Sequence, residues 1–136
     1  YLPSGTPARL VTLADAERLS VDGRTLFVDA RSPERFSGQP DPLDKVPGHI
    51  PGARNRYYKD NTLDDGTFKP ADDLRADYLR VLDGRTPGEV VMYCGSGITA
   101  CHNLLAMTHA GLTTSTLYPG SWSEWCADPA RPVAKG

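Results

Sequence analysis

Apolar positions in this chain gather into short continuous runs, separated by longer stretches in which they recur at helical spacing, and that alternation predicts its elements. Leu26-Phe27-Val28, the centre of a strand expected over residues 25–29, and the run Val90-Val91-Met92-Tyr93 are continuous apolar runs, as strands buried on both faces of a parallel sheet are. Thr116-Leu117-Tyr118 reads as another short strand, and residues 48–53 as a turn leading into one more. Leu74, Tyr78, Val81 and Leu82 share one face of a helix expected over residues 71–82 and opened by Pro70, with Asp72, Asp73 and Asp77 on its solvated side. Thr12 caps a short amphipathic helix over residues 12–19, and Ser32 with Pro33 starts a compact second one. The run Val90-Val91-Met92-Tyr93 is followed by a helix over residues 99–110, with Thr99 as its cap and Gly111 as its stop. Ser121-Trp122-Ser123-Glu124 has capping-box spacing, which places Trp122 and Trp125 on one side of a last helix. Residues 37–46 are expected to form a surface loop at the crevice edge, residues 54–69 a connection with little regular structure, and the residues from 128 onward an extended tail. Strand candidates alternating with helices predict an α/β fold: a mostly parallel five-stranded sheet flanked by helices on both sides.

Composition narrows the function classes. A chain of 136 residues suffices for one domain with its own core. The balance of 15 basic against 17 acidic residues predicts no nucleic-acid partner, and with no long apolar run no membrane span or signal peptide is expected. Three cysteines, an odd number without paired spacing, predict reduced thiols and a cytoplasmic protein. The acidic residues of the 71–82 helix have no His or Cys at ligand spacing, so no metal is expected; no cofactor is expected either. Tyr1-Leu2-Pro3-Ser4-Gly5-Thr6-Pro7 reads as linker, which assigns residues 1–10 to an interdomain connection and 11–136 to a folded domain of a longer protein.

The candidate chemistry lies at the junction of a strand and a helix. In Cys94-Gly95-Ser96-Gly97-Ile98-Thr99 the two glycines let backbone N–H groups turn toward one point, and the helix that follows directs its N-terminus at the cysteine. Such surroundings favour a thiolate and suit an anion beside it. Asp29, Ala30 and Arg31 end another strand, and strand carboxyl ends share one crevice in open parallel sheets. Arg31 is expected to pair with Asp29. Arg35, one turn into the second helix, carries a planar fork that can hold a carboxylate, and Lys45 is a candidate second cation. His102 is given a surface or second-layer position, and Cys101 and Cys126 are expected to be buried and inert. A Cys94–Cys101 disulfide acting as a redox switch is an open alternative.

The loop from Cys94 to Thr99, with Ala100-Cys101-His102 behind it, resembles the active-site loop of the rhodanese superfamily, specifically of mercaptopyruvate-type sulfurtransferases. Asp29-Ala30-Arg31 with Glu34-Arg35-Phe36, then Gly48-His49-Ile50-Pro51-Gly52-Ala53, then Gly120-Ser121-Trp122-Ser123-Glu124-Trp125 fall in the order seen in the second, catalytic domain of tandem-domain members. The resemblance spans nearly the whole chain. It implies the rhodanese fold and a sulfane sulfur carried as a persulfide on Cys94. It further implies a loop of Gly95, Ser96, Gly97, Ile98 and Thr99, and substrate binding by Arg35 and Ser96. A preceding rhodanese domain is the implied partner. Relatives that prefer thiosulfate usually place basic side chains at the second and third loop positions. Gly95 and Ser96 here point instead to 3-mercaptopyruvate, with thiosulfate as runner-up donor and a thiol or cyanide as acceptor. A cysteine-phosphatase reading fails because Ala100 stands where that loop needs arginine. A non-enzymatic sulfur carrier or protein-binding module stays open.

Overall fold

Strand β4, Val90–Tyr93, is the middle of the sheet on which the molecule is built, and the computed structural model describes residues 9–95, 98–112 and 116–135 around it. The other strands are β1, Arg9–Leu10; β2, Leu26–Asp29; β3, Arg54–Asn55; and β5, Thr116–Leu117. They lie in the order β1-β5-β4-β2-β3, and every pairing is parallel. Each parallel step needs a crossover, and the four connections carry α1, Leu13–Leu19; α2, Pro33–Ser37; α3, Ala71–Leu82; and α4, Ile98–His109, while α5, Ser121–Trp125, follows the last strand.

The two apolar runs are buried on both faces because side chains alternate along them. Leu26, Val28, Val90 and Met92 point to one side and pack with Leu74, Tyr78 and Leu82 of α3 and Leu104 and Met107 of α4. Phe27, Val91 and Tyr93 point to the other and meet Ala16 of α1 with Trp122 and Trp125 of α5. Helices therefore cover both faces, as the pattern predicts. Thr12 accepts the Asp15 N–H as the cap of α1, and Ser32 does the same for Arg35 N–H ahead of Pro33. Among the described residues no helix is long and apolar enough to cross a membrane.

Several expectations are corrected. Arg9 and Leu10, placed in the linker by sequence, pair with Thr116 and Leu117 as an edge strand. Residues 54–69 hold β3, a 3-10 turn at Tyr58–Asn61 and a Thr62–Phe68 bridge. That turn buries Asn61, whose amide donates to Asn103 Oδ1 at 2.7 Å and whose carbonyl accepts the Tyr78 hydroxyl at 2.8 Å. Helix α4 starts at Ile98, so Thr99 lies inside its first turn instead of capping it. Ser121 does not cap α5 either; it follows Gly120 with φ 54° and turns its hydroxyl back toward β4 and β5. Glu124 accepts from the Tyr118 hydroxyl at 2.9 Å rather than closing a capping box. Asp77 leaves the solvated face to meet Arg56 and Arg80. The tail returns at Ala134, which exchanges hydrogen bonds with His49 at 2.8 and 2.9 Å.

Candidate active site

The register of β2 against β4 pairs Asp29 with Tyr93, so both strands run out at the same edge and Ala30–Arg31 leaves beside Cys94–Gly95. The Ala30 N–H donates to Tyr93 O at 2.9 Å, extending the pairing by one step. Cys94 follows the last residue of the central strand, is buried, and lies next to the start of α4, whose N-terminal end carries the positive pole of its peptide dipoles.

Three hydrogen bonds from the start of α5 fix the Cys94–Gly95 backbone. The Cys94 N–H donates to Ser121 Oγ at 3.1 Å, Trp122 N–H donates to Cys94 O at 2.8 Å, and Ser123 N–H donates to Gly95 O at 2.9 Å. The Ser121 hydroxyl in turn donates to Tyr118 O at 2.9 Å, so the clamp is anchored on the residue that follows β5. Sequence reasoning assigned Ser121 to a helix cap. Only the meeting of β4, β5 and α5 shows that its hydroxyl serves a strand end.

Arg31 is fully buried and forks onto Asp29 through Nε at 3.0 Å and Nη2 at 2.6 Å, while Nη2 also reaches Gly48 O. Its guanidinium lies 5.0 Å from the centre of the Trp122 ring. The expected structural ion pair is what is seen. Arg35 behaves differently. Its Nη2 stands 2.9 Å from the point where a Cβ on residue 95 would sit, so its head lies against the loop and a side chain there would displace it. Its Nε and Nη2 hold Asp44 bidentately at 2.9 and 2.6 Å. Asp44 also lies 3.4 Å from Arg31 Nη1, an ion pair without hydrogen-bond geometry. Burial alone would raise the Asp44 carboxyl, but hydrogen bonds from Arg35 and the charges of both arginines hold it below the usual carboxylate range. Sequence reasoning missed Asp44, because nothing in an irregular Pro- and Asp-rich loop says which carboxylate folds inward.

A cavity of about 460 Å³ opens between this loop and α5, with Gly95, Asp44, Lys45, Val46, Trp122 and Cys126 in its wall. Lys45 thus shares a cavity wall with Gly95 of the active-site loop. His49 stacks on Phe36 at 3.8 Å with Nδ1 2.7 Å from Phe36 O, a structural role at the turn. His102 is half-buried behind the loop, 3.2 Å from the Asn61 amide, and burial pushes its pKa down. Cys126 is buried as expected, but Cys101 is exposed, because Ala100, Asn103, Leu104 and Met107 take the inner face of α4. Cys94, Cys101 and Cys126 form no disulfide among the described residues. Thr99 is half-buried in α4; Ser96 and Gly97 lie outside the described residues, as does the Ile98 side chain. No group of three or more His, Cys, Asp or Glu able to hold a metal is found among the described residues.

The family described as Rhodanese-like domain matches residues 12–128. The chain belongs to the rhodanese family. This rhodanese domain is 51% identical over 110 residues to the "Probable 3-mercaptopyruvate sulfurtransferase" of Pseudomonas aeruginosa, covering 81% of the chain and 39% of the relative. It is 36% identical over 122 residues to the human 3-mercaptopyruvate sulfurtransferase, covering 88% of the chain and 40% of the relative. Among solved structures, the 3-mercaptopyruvate sulfurtransferase from Leishmania major superposes with a TM-score of 0.72 at 34% identity, over 86% of this chain and 32% of that one. The domain therefore spans about 40% of the length of the curated relatives it matches.

Proposed function

We propose that this rhodanese domain is a sulfurtransferase that takes a sulfane sulfur from 3-mercaptopyruvate, with thiosulfate as second donor, and passes it to a thiol or cyanide through a persulfide on Cys94. The observation that carries the reading is the placement of Cys94 between the end of the central strand and the start of α4, with the Arg35 guanidinium against Gly95. The names of the relatives support sulfur transfer as the reaction class.

In the first half-reaction the Cys94 thiolate attacks the sulfur of the donor. An S–S bond forms, the C–S bond of 3-mercaptopyruvate breaks with its electron pair passing to carbon, and the enolate takes up the thiol proton to leave as pyruvate. With thiosulfate the S–S bond breaks instead and sulfite leaves. In the second half-reaction the acceptor attacks the outer sulfur and Cys94 departs as thiolate. Two half-reactions through one covalent intermediate predict ping-pong kinetics. Arg35 holds the donor's anionic end, and backbone N–H groups of Gly95, Ser96, Gly97, Ile98 and Thr99 stabilise the charge on Cys94 and on its persulfide. The Ser96 hydroxyl donates to the donor or to the Cys94 sulfur. A preceding rhodanese domain completing the pocket belongs to the same proposal through the family resemblance, and a cytoplasmic setting through the odd number of cysteines without paired spacing.

Intact mass after incubation with each donor, before and after cyanide, tests this. The expected result is a gain of one sulfur that cyanide removes and that Cys94→Ser lacks while remaining folded. No gain in the parent, or an unchanged gain in Cys94→Ser, overturns it. Because the domain spans only part of its relatives' length, a carrier role is the second reading, and stoichiometry separates the two. A carrier takes up one sulfur and stops, whereas an enzyme releases many equivalents of product.

A further inference from the structure

Arg35 is the cation placed against the Cys94 loop, yet its Nε and Nη2 edge is already filled by a carboxylate from the same chain. The Asp44 side chain is 1% exposed and the Arg35 side chain 18%, so the pair is shielded from water on the carboxylate side and open on the arginine side. The neighbouring charges are nearly cancelled. Arg31 is neutralised by Asp29, Arg35 by Asp44, and Asp41 adds a further negative charge within electrostatic reach of Arg35. Lys45, on the wall of the adjoining cavity, adds one positive charge.

We propose that Asp44 is the specificity-determining residue of the donor site. Held in the Arg35 fork, it cancels one cation, so that the site accepts a donor with a single negative charge and disfavours one with two. The pairing is side-on, through Nε and Nη2, and uses two of the five N–H groups of the guanidinium, leaving the others for the carboxylate of a monoanion such as 3-mercaptopyruvate. A dianion such as thiosulfate meets a site with too little positive charge to replace its hydration. Specificity is a difference between two affinities, and a fixed like charge beside the binding edge penalises the more highly charged ligand more. The inference rests on the sulfurtransferase reading for the identity of the donors, but the preference for anion charge is a property of Asp44 and is measured independently of turnover.

The experiment compares the parent protein with Asp44→Asn, which keeps the shape and loses the charge, and with Lys45→Ala, which shifts the balance the other way at an exposed position. The first readout is the ratio of kcat/KM for thiosulfate to that for 3-mercaptopyruvate. Asp44→Asn should raise it about tenfold, the effect of one charge interaction changing by one pK-unit equivalent, and Lys45→Ala should lower it. The second is protection of Cys94 from iodoacetamide by sulfate and by pyruvate, read by mass spectrometry. Asp44→Asn should tighten sulfate protection more than pyruvate protection. An unchanged sulfate-to-pyruvate ratio in a folded Asp44→Asn, or protection by neither anion in any variant, overturns the proposal. If Asp44→Asn does not fold, the direction of the change in Lys45→Ala decides. If the parent loads no sulfur from either donor, the sulfurtransferase reading fails while the protection ratios still decide the role of Asp44.

Discussion

Ser121 holds the backbone of the proposed nucleophile at some cost to its own, with a left-handed φ of 54° that a side chain with a Cβ resists. Two substitutions separate these effects. Ser121→Ala keeps the strain and leaves the buried Cys94 N–H without its acceptor, a loss of about 1–3 kcal/mol. Ser121→Gly loses the same acceptor but relieves the strain, so in urea titration it should be less destabilised than Ser121→Ala by about 1 kcal/mol. Equal losses would show that the hydroxyl alone matters. Asp44 gives a pH prediction. Its folded carboxyl titrates below the unfolded value, so the unfolded chain binds the proton more readily there. The stabilisation is fully present above roughly pH 4 and is lost as pH falls through the lower folded value. Stability measured between about pH 5 and pH 3 should therefore fall less steeply in Asp44→Asn than in the parent. The arginine that reaches the loop was legible from its helix spacing. Its carboxylate partner was not, because the fold of an irregular loop is decided by what it lands on.

At the scale of elements, the sequence pattern is clearest where one period runs long enough. Helix α3 spans Ala71–Leu82 as its apolar spacing predicts, and Leu74, Tyr78 and Leu82 are buried. Short elements obeyed tertiary demands instead. The five residues of α5 carry capping-box spacing, yet Ser121 and Glu124 turn to Cys94 and Tyr118, since a buried amide or hydroxyl beside a strand end needs its partner more than a short helix needs a cap. The turn at residues 48–53 shows the same dependence. Gly48 has φ 123°, and a Cβ there would stand 2.6 Å from Ala134 O and 2.5 Å from the Val133 side chain. Gly48→Ala should cost more than about 2 kcal/mol, because the backbone strain adds to a clash with main chain that cannot swing aside. Hydrogen exchange should then show early loss of protection at His49 and Ala134. Protection equal to the parent's at both would mean that the tail shifts without loss.

The whole molecule is one parallel sheet between two apolar layers, and neither layer is complete without the strands that divide them. Leu74→Ala, which empties part of the α3 side, should lower stability by about 2–5 kcal/mol. The near-ultraviolet signal of Trp122 and Trp125, on the opposite face, should be lost in the same transition as helicity, since a domain of this size unfolds as one unit. Two separate transitions would mean that the layers fold independently. The sequence by itself determined the α/β alternation, the two fully buried strands and the cysteine between strand and helix, because each is written in local period and in residues that punctuate the chain. Tertiary structure alone decided that Arg9 and Leu10 join the sheet, that Ser121 serves the Cys94 amide and that Asp44 fills the Arg35 fork. Those are contacts between residues far apart in sequence, fixed by strand register and by buried polar groups finding whichever partner the packing brings within reach.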